Sequence, residues 1–230
     1  MIRFYFHPTP NPAKVSLFLE EAALPYEVVP VDTSKGEQHT SAFRAINPNG
    51  KVPAIVDTDG PDGHEAVVFD STAILLYLAE KTGKLIPADP RARWECIQWL
   101  FWQMAGLGPM AGQNHHFGNY AMEPIPYAID RYVNETGRLY AVLDRQLRAR
   151  EFISGDYSIA DIACYPWVQP ERQRQHIDDF PDLKRWKDAI AARPATQRAY
   201  ALAKTVNAKP AVSDEQSRKI LFGQGKHTVR

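Results

Sequence analysis

A chain of 230 residues can form one large domain or two smaller ones. Its 27 basic and 27 acidic residues give a formal net charge of zero, so no overall field favours nucleic acid or an anionic membrane. The longest apolar stretches, such as residues 73–79, are too short to span a bilayer, and the first residues lack the pattern of a secretory signal, so none is expected.

The first third of the chain alternates strand-like and helix-like segments. Alternating apolar residues predict strands, and apolar residues at helical spacing predict helices. The predicted strands are Ile2–Phe6, 26–31, 52–56 and Ala66–Phe69, and the predicted helices are 14–23, Ser41–Ile46 and 71–83. The resulting order β-α-β-α-β-β-α indicates an α/β domain.

The strand signals fade from Pro90 onward. Helices are predicted at residues 93–104, 126–150, 159–173, 183–192 and 196–203. An α/β third followed by an all-helical remainder predicts two domains. We expect the first domain at 1–84, a linker at 85–91, the helical domain at 92–205 and a polar, loosely held tail at 206–230.

The chain has two cysteines, Cys96 and Cys164, which lie far apart in the sequence. They form neither a disulfide framework nor a C-x-x-C redox or zinc pattern. We therefore expect a reducing, cytoplasmic compartment and no catalytic thiol from the protein itself. The adjacent pair His115 and His116 does not complete a metal site, because no helical H-x-x-x-H spacing or neighbouring cysteine accompanies it.

Three motifs stand out along the chain: KVPAI at residues 51–55, FDSTAILLYL at 69–78 and GDYSIAD at 155–161. They resemble motifs of the glutathione transferase family. The first resembles the family's cis-proline strand, the second the start of its glutathione-binding helix, and the third its helical-domain folding motif. The resemblance implies a thioredoxin-like, glutathione-binding domain followed by an all-helical domain.

Further blocks resemble the bacterial nu class of this family. They are PTPN at 8–11, LFLEEA at 17–22, QWLFWQ at 98–103, GLGPM at 106–110, GQNHHF at 112–117 and IPYAI at 125–129. The resemblance implies a homodimeric, glutathione-dependent disulfide-bond oxidoreductase with glutathione as co-substrate and no metal. Conjugation of glutathione to electrophiles, reduction of peroxides, and a non-enzymatic binding module stay open as alternatives.

The turn between the first strand and the first helix carries the candidate catalytic residues, Thr9 and Asn11. Glutaredoxin-like relatives place a nucleophilic cysteine here, because a helix N-terminus lowers the pKa of a thiol. This chain has no cysteine nearby, so the resemblance implies that glutathione brings the sulfur and that the Thr9 hydroxyl and Asn11 amide hold its thiolate. Spacing alone also allows both residues to be turn and cap residues.

The Val52-Pro53 dipeptide is the second candidate site. By the resemblance its peptide bond is cis, and the Val52 backbone binds the cysteinyl part of glutathione as an added strand would. An ordinary proline at a strand start is the alternative. Lys51 is a candidate for the glycyl carboxylate, or else a solvated surface lysine.

Asp70 and Ser71 form the third candidate site. We interpret Ser71 as the N-cap of a helix whose first N–H groups bind the γ-glutamyl carboxylate, with Asp70 pairing with the ligand's ammonium. The family more often has Glu or Gln in place of Asp70. The resemblance adds Gln38 in a polar loop, and Arg131 and Gln98 in the helical part, as glutathione contacts. A solvated loop residue is the alternative for Gln38, and a helix-surface ion pair is the alternative for Arg131.

Overall fold

The structure is a computed structural model, and it describes residues 1–206, 212 and 214–225. The chain divides into two compact units. The first joins Met1–Leu78 with the described residues from Arg198 onward, and the second is Ala79–Gln197. The domain boundaries expected from the sequence stay a prediction beside this division.

A four-stranded mixed sheet forms the centre of the first unit. Its strands are β1 (Ile2–Phe6), β2 (Tyr26–Pro30), β3 (Ala54–Asp57) and β4 (Ala66–Phe69), in the order β2-β1-β3-β4. β1 runs parallel to β2 and antiparallel to β3, and β3 runs antiparallel to β4. Every residue of β3 is buried, whereas β1 alternates between buried and half-buried residues. The sheet, together with its helices, confirms the predicted α/β order.

Two helices connect these strands, α1 (Pro10–Ala22) and α2 (Ser41–Ile46), and a third, α3 (Ser71–Thr82), follows β4. α1 begins four residues earlier than the apolar spacing predicted. Proline is well tolerated in a first helical turn, where its missing N–H would have no intrahelical partner, so Pro10 and Pro12 start the helix rather than preventing it. The helix ends at Ala23, which adopts a left-handed conformation with φ of 52°.

The second unit is helical. Its helices are α4 (Pro90–Trp102), α5 (Gly108–His115), α6 (Pro126–Leu147), α7 (Ile159–Cys164) and α8 (Pro181–Ala191). α4 continues through a π-helical turn, Gln103–Leu107, into α5. The sequence analysis predicted neither the turn nor α5. α7 ends nine residues earlier than predicted, because Pro166 and Pro170 cannot continue its hydrogen bonding. No described helix is long and apolar enough to cross a membrane.

Two further helices follow, α9 (Pro194–Thr205) and α10 (Glu215–Phe222). The Arg198 guanidinium of α9 donates to the Glu20 carboxylate of α1 at 2.7 Å, and the Tyr26 hydroxyl donates to the same carboxylate at 2.7 Å. The predicted loose tail, 206–230, falls partly outside the described residues. Within its described part, α10 forms a helix with a capping box between Asp214 and Ser217.

Asp161 of α7 is a fully buried carboxylate at the centre of the helical unit. Its Oδ1 accepts hydrogen bonds from the Ile153 N–H at 2.9 Å and the Trp186 indole at 2.8 Å. Its Oδ2 accepts from the Ser158 N–H at 3.0 Å and the Ser158 hydroxyl at 3.1 Å. The bond from the Ser158 N–H is one half of the capping box expected from GDYSIAD, and the Ser158 side chain, which accepts a backbone N–H of α7, supplies the other. Burial raises the pKa of Asp161 to about 6, against the four donors that favour the carboxylate.

Asp161→Asn should destabilise the protein despite its small change in size. Whichever way the amide is turned, its NH2 group meets an N–H donor, because each carboxylate oxygen accepts from at least one. We expect the free energy of unfolding in urea at pH 7.5 to fall by roughly 2–4 kcal/mol. The exposed Asp156→Asn is the matched control. An Asp161→Asn protein as stable as this control would contradict the role assigned to the carboxylate.

Candidate functional site

The candidate residues of the first unit converge because of the strand register. Tyr5 near the end of β1 pairs with Ala54, the first residue of β3, and Ala54 pairs with Phe69, the last residue of β4. The segments that follow β1, precede β3 and follow β4 therefore emerge at the same end of the sheet. β2, parallel to β1, ends there as well, because Phe6 pairs with Pro30. The four segments carry Thr9 and Asn11, Val52 and Pro53, Asp70 and Ser71, and Gln38.

Thr9 occupies the N-cap position of α1, but its side chain makes no capping hydrogen bond. Its backbone carbonyl accepts from the Ala13 N–H at 3.1 Å, and its own N–H donates to the His7 carbonyl at 2.7 Å. Thr9 and Asn11 are both half-buried. The capping explanation therefore does not account for the Thr9 hydroxyl, which stands beside the N-terminus of a helix.

Neither cysteine lies in the unit that carries Thr9. Cys96 and Cys164 are fully buried cysteines of the helical unit that form no disulfide with each other. Burial raises the pKa of Cys96, which disfavours its thiolate. Neither thiol has the exposure of a reactive cysteine, and Cys96 also lacks a lowered pKa.

The Val52-Pro53 peptide bond is cis, as the sequence resemblance implied. β3 begins only at Ala54, so Val52 takes no part in the pairing of β3 with its neighbours. Lys51 is exposed, and partial burial of its ammonium lowers its pKa. That ammonium donates to the Gln224 side-chain carbonyl at 2.9 Å, so Gln224 lies beside this candidate residue.

The N-cap of α3 is Asp70 and not Ser71, so the sequence interpretation was wrong by one residue. Asp70 Oδ1 accepts from the N–H groups of Thr72 at 2.9 Å and Ala73 at 3.3 Å. The Asp70 carbonyl accepts from the Ile74 N–H at 2.9 Å. Asp70 also has a φ of 69°, in the left-handed region that non-glycine residues rarely adopt. Strain of this kind is tolerated where the surroundings require it, often at functional sites.

Ser71 is the first residue of α3 and is bound by a lysine that the sequence analysis did not single out. Lys14 of α1 is only 2% exposed, and its ammonium donates to the Ser71 hydroxyl at 3.2 Å. The bond joins the beginning of α1 to the beginning of α3. A sequence signal existed, because Lys14 stands four residues before Phe18 and eight before Ala22, on the face of the helix that is buried.

Gln38 lies in the loop after β2 and is 2% exposed. Its amide nitrogen donates to the Thr33 carbonyl at 3.3 Å and lies 3.3 Å from the His39 ring nitrogen Nε2. Its amide oxygen is buried and has no donor among the described residues. An unsatisfied buried acceptor costs about 1–3 kcal/mol, so Gln38 is well suited to accept a hydrogen bond from a ligand.

Gln98 and Arg131 belong to the helical unit, and both are exposed. The Arg131 guanidinium lies 4.0 Å from Glu135 one helical turn away, whereas Arg138 binds the same carboxylate through two nitrogens at 2.7 and 2.8 Å. Glu135 therefore does not hold Arg131 firmly. Their assignment as glutathione contacts stays a prediction from the resemblance.

The GQNHHF segment contributes to a buried polar network. Asn114 donates through its amide to the Thr136 hydroxyl at 3.0 Å and the Gln173 carbonyl at 3.1 Å. The His115 ring nitrogen Nε2 lies 3.2 Å from the Gln173 amide nitrogen, and the ring stacks on Trp167. Burial, with a smaller contribution from Arg172, lowers the pKa of His115 to about 4. The described residues contain no group of three histidine, cysteine, aspartate or glutamate side chains that could hold a metal.

Acid should destabilise the helical unit through His115. Its pKa is lowered in the folded state, so the folded protein binds fewer protons than the unfolded chain below pH 6.5, and stability falls from there towards pH 4. The full loss would be about 3 kcal/mol. His115→Phe keeps a ring against Trp167 but cannot be protonated.

Urea unfolding between pH 7.5 and 4.5 measures this effect. We expect the free energy of unfolding to decline less steeply with falling pH in His115→Phe than in the wild type. Some decline should remain in the variant, because the buried His7 also has a lowered pKa. The exposed His64→Phe is the control and should follow the wild type. Parallel curves for all three proteins would contradict the assignment.

Two family models match the chain. The model described as the glutathione S-transferase N-terminal domain matches residues 9–81, and that of the glutathione S-transferase C-terminal domain matches residues 127–194. Both matches fall on the parts of the chain where the sequence motifs lie.

The similar proteins include an oxidoreductase and solved transferases. The disulfide-bond oxidoreductase YfcG of Escherichia coli is 53% identical over 202 residues, which are 86% of this chain and 94% of YfcG. A glutathione transferase from Burkholderia graminis, solved with two glutathione molecules per subunit, is 47% identical with a TM-score of 0.83, covering 86% of each chain. One from Pseudomonas putida, solved with one glutathione disulfide per subunit, is 42% identical with a TM-score of 0.83, covering 86% of this chain and 90% of its own.

Proposed function

The chain belongs to the glutathione S-transferase family, and we propose that it is a glutathione-dependent disulfide-bond oxidoreductase of the nu-class type. The observation that carries this proposal is the Thr9 hydroxyl, which stands at the N-terminus of α1 without capping it. A helix N-terminus and a hydroxyl donor together stabilise a thiolate, and the unit that holds them has no cysteine. The sulfur therefore comes from glutathione.

The reaction is two successive thiol–disulfide exchanges. The glutathione thiolate attacks one sulfur of the substrate disulfide, so a mixed disulfide forms while the substrate's S–S bond breaks and its other sulfur leaves as a thiolate that takes up a proton. A second glutathione thiolate then attacks the glutathione sulfur of the mixed disulfide and releases the second substrate thiol. The substrate gains two electrons, and two glutathione molecules become one glutathione disulfide. The protein is not oxidised at any step.

Thr9 and Asn11 act on the sulfur, and the other candidates of the first unit hold the tripeptide. The Val52 backbone pairs with the cysteinyl part, and Ser71 with the start of α3 binds the γ-glutamyl carboxylate. The negative charge of Asp70 attracts the γ-glutamyl ammonium. The buried Gln38 oxygen accepts a hydrogen bond from the ligand, and Lys51 exchanges Gln224 for the glycyl carboxylate.

A homodimer acting in the cytoplasm completes the proposal. Edge strand β4 exposes Val67 and Phe69, by 47% and 41%, and α4 exposes Trp94 and Phe101, by 65% and 54%. Large apolar side chains clustered on one strand or one helix face are typical of surfaces that pair with another chain. Two buried cysteines without a disulfide suit a reducing compartment.

Thr9→Val should lower the turnover of a small disulfide such as hydroxyethyl disulfide. The variant keeps the shape of the side chain and removes the donor to the thiolate. We expect kcat/KM to fall at least about tenfold, as when one charge-assisted hydrogen bond is lost. NADPH consumption through added glutathione reductase measures the rate, and peroxide and aryl-halide substrates run in parallel rank the alternative activities.

The control for Thr9→Val is Thr58→Val. Thr58 follows β3 at the opposite end of the sheet, where its hydroxyl contacts Met1. Wild-type turnover is expected for this control. Equal rates in the two variants would remove Thr9 from the mechanism.

Replacing both cysteines should leave turnover unchanged. Cys96→Ala with Cys164→Ala is preferred to serine, because alanine does not bury a new hydroxyl at these fully buried positions. The double variant is expected to lose some stability through its two small cavities and to keep its kcat. Circular dichroism at the assay temperature establishes the folded fraction. Loss of most activity in a folded double variant would show that a protein thiol takes part.

A further inference from the structure

Lys14 is a cation inside the α/β unit. Its side chain is 2% exposed and ranks among the largest fully buried ones, and its ammonium donates to the Ser71 hydroxyl at 3.2 Å. Moving an ammonium out of water carries a large desolvation cost, so a buried lysine is retained only where its charge is used. The charge of Lys14 lies at the beginning of α3.

The hydrogen bond determines how the Ser71 hydroxyl can act. An ammonium group has three donors and no acceptor, so Ser71 Oγ must be the acceptor of this bond. The hydroxyl hydrogen of Ser71 is then directed away from Lys14. No acceptor for it is found within the part of the chain that the structure describes. Lys14 thus holds Ser71 as a donor towards something that the protein does not itself provide.

The backbone N–H groups of Thr72 and Ala73 at this helix start are already used. Asp70 Oδ1 accepts from the N–H groups of both Thr72 and Ala73. The Thr72 hydroxyl, 6% exposed, has no partner among the described side chains and backbone groups. The hydroxyl groups of Ser71 and Thr72 can therefore bind a ligand beside the buried Lys14 ammonium. The positive end of the α3 dipole lies at the same place, so both favour a negatively charged ligand group.

We propose that Lys14 is a positioning residue for the γ-glutamyl carboxylate of glutathione, an inference that rests on the proposed function. Lys14 fixes the Ser71 hydroxyl as a donor to that carboxylate and supplies the positive charge behind it. The carboxylate is the matching group, because a hydroxyl polarised by a cation donates best to an anion. Lys14 itself does not touch the reacting sulfur.

The test compares the wild type with the Lys14→Met variant in binding two ligands. Methionine keeps about the length of the lysine side chain without its charge. The ligands are glutathione and 4-aminobutyryl-cysteinylglycine, which differs from glutathione only by lacking the γ-glutamyl α-carboxylate. Titration calorimetry on the full chain gives each affinity. We expect Lys14→Met to bind glutathione about tenfold more weakly and to bind the analogue as the wild type does. The exposed Lys84→Met is the control and should keep both affinities.

Each outcome separates the two proposals. If the wild type binds neither ligand, the proposed function fails and takes this inference with it. If the wild type prefers glutathione and a folded Lys14→Met keeps the same preference, or loses both ligands equally, the positioning role is overturned and the proposed function stands. If Lys14→Met does not fold, the Ser71→Ala variant, in which Asp70 still caps α3, replaces it in the test. The Ser71→Ala variant should lose the preference for glutathione over the analogue, and a retained preference overturns the inference.

Discussion

The register of one row of the sheet determines the candidate site. Tyr5, Ala54 and Phe69 pair side by side, so three connections that are distant in the sequence leave the sheet at the same end. The beginning of α1, the cis-proline turn and the beginning of α3 are therefore neighbours before any side chain is considered. A one-residue slip of β3 would turn its buried side chains to the opposite face. β1 alternates between buried and half-buried residues, so its two faces differ and its register is specified.

The starts of α1 and α3, both at this end of the sheet, differ in how their N-termini are capped. Asp70 caps α3 with its own carboxylate, whereas the Thr9 side chain leaves the start of α1 uncapped. The positive end of α1 is thus available to a thiolate, and the positive end of α3 is reinforced by Lys14 for a carboxylate. Under the proposed function, glutathione carries both anionic groups and so connects the two helix starts in a single ligand.

Turn residues and apolar spacing allowed many of the strands and helices to be predicted from the sequence. β1, β4 and α2 have the predicted bounds, because turn residues and apolar spacing mark both of their ends. The capping of α3 was assigned one residue late, since both Asp and Ser are good N-cap residues and only the hydrogen bonds of the Asp70 side chain in the folded helix decide between them. Lys14 was missed because a lysine is ordinarily exposed, and its burial depends on the packing of α1 in the folded unit. The π-helical turn between α4 and α5 has no sequence pattern of its own.

The proposed function depends on the thiolate of bound glutathione being held at the turn between β1 and α1. A crystal structure of the protein soaked with glutathione disulfide tests it most directly, because it locates both sulfurs relative to the protein. The account predicts one sulfur within hydrogen-bond distance of the Thr9 hydroxyl and the Asn11 side chain. A bound disulfide whose sulfurs both lie remote from these two residues would contradict it.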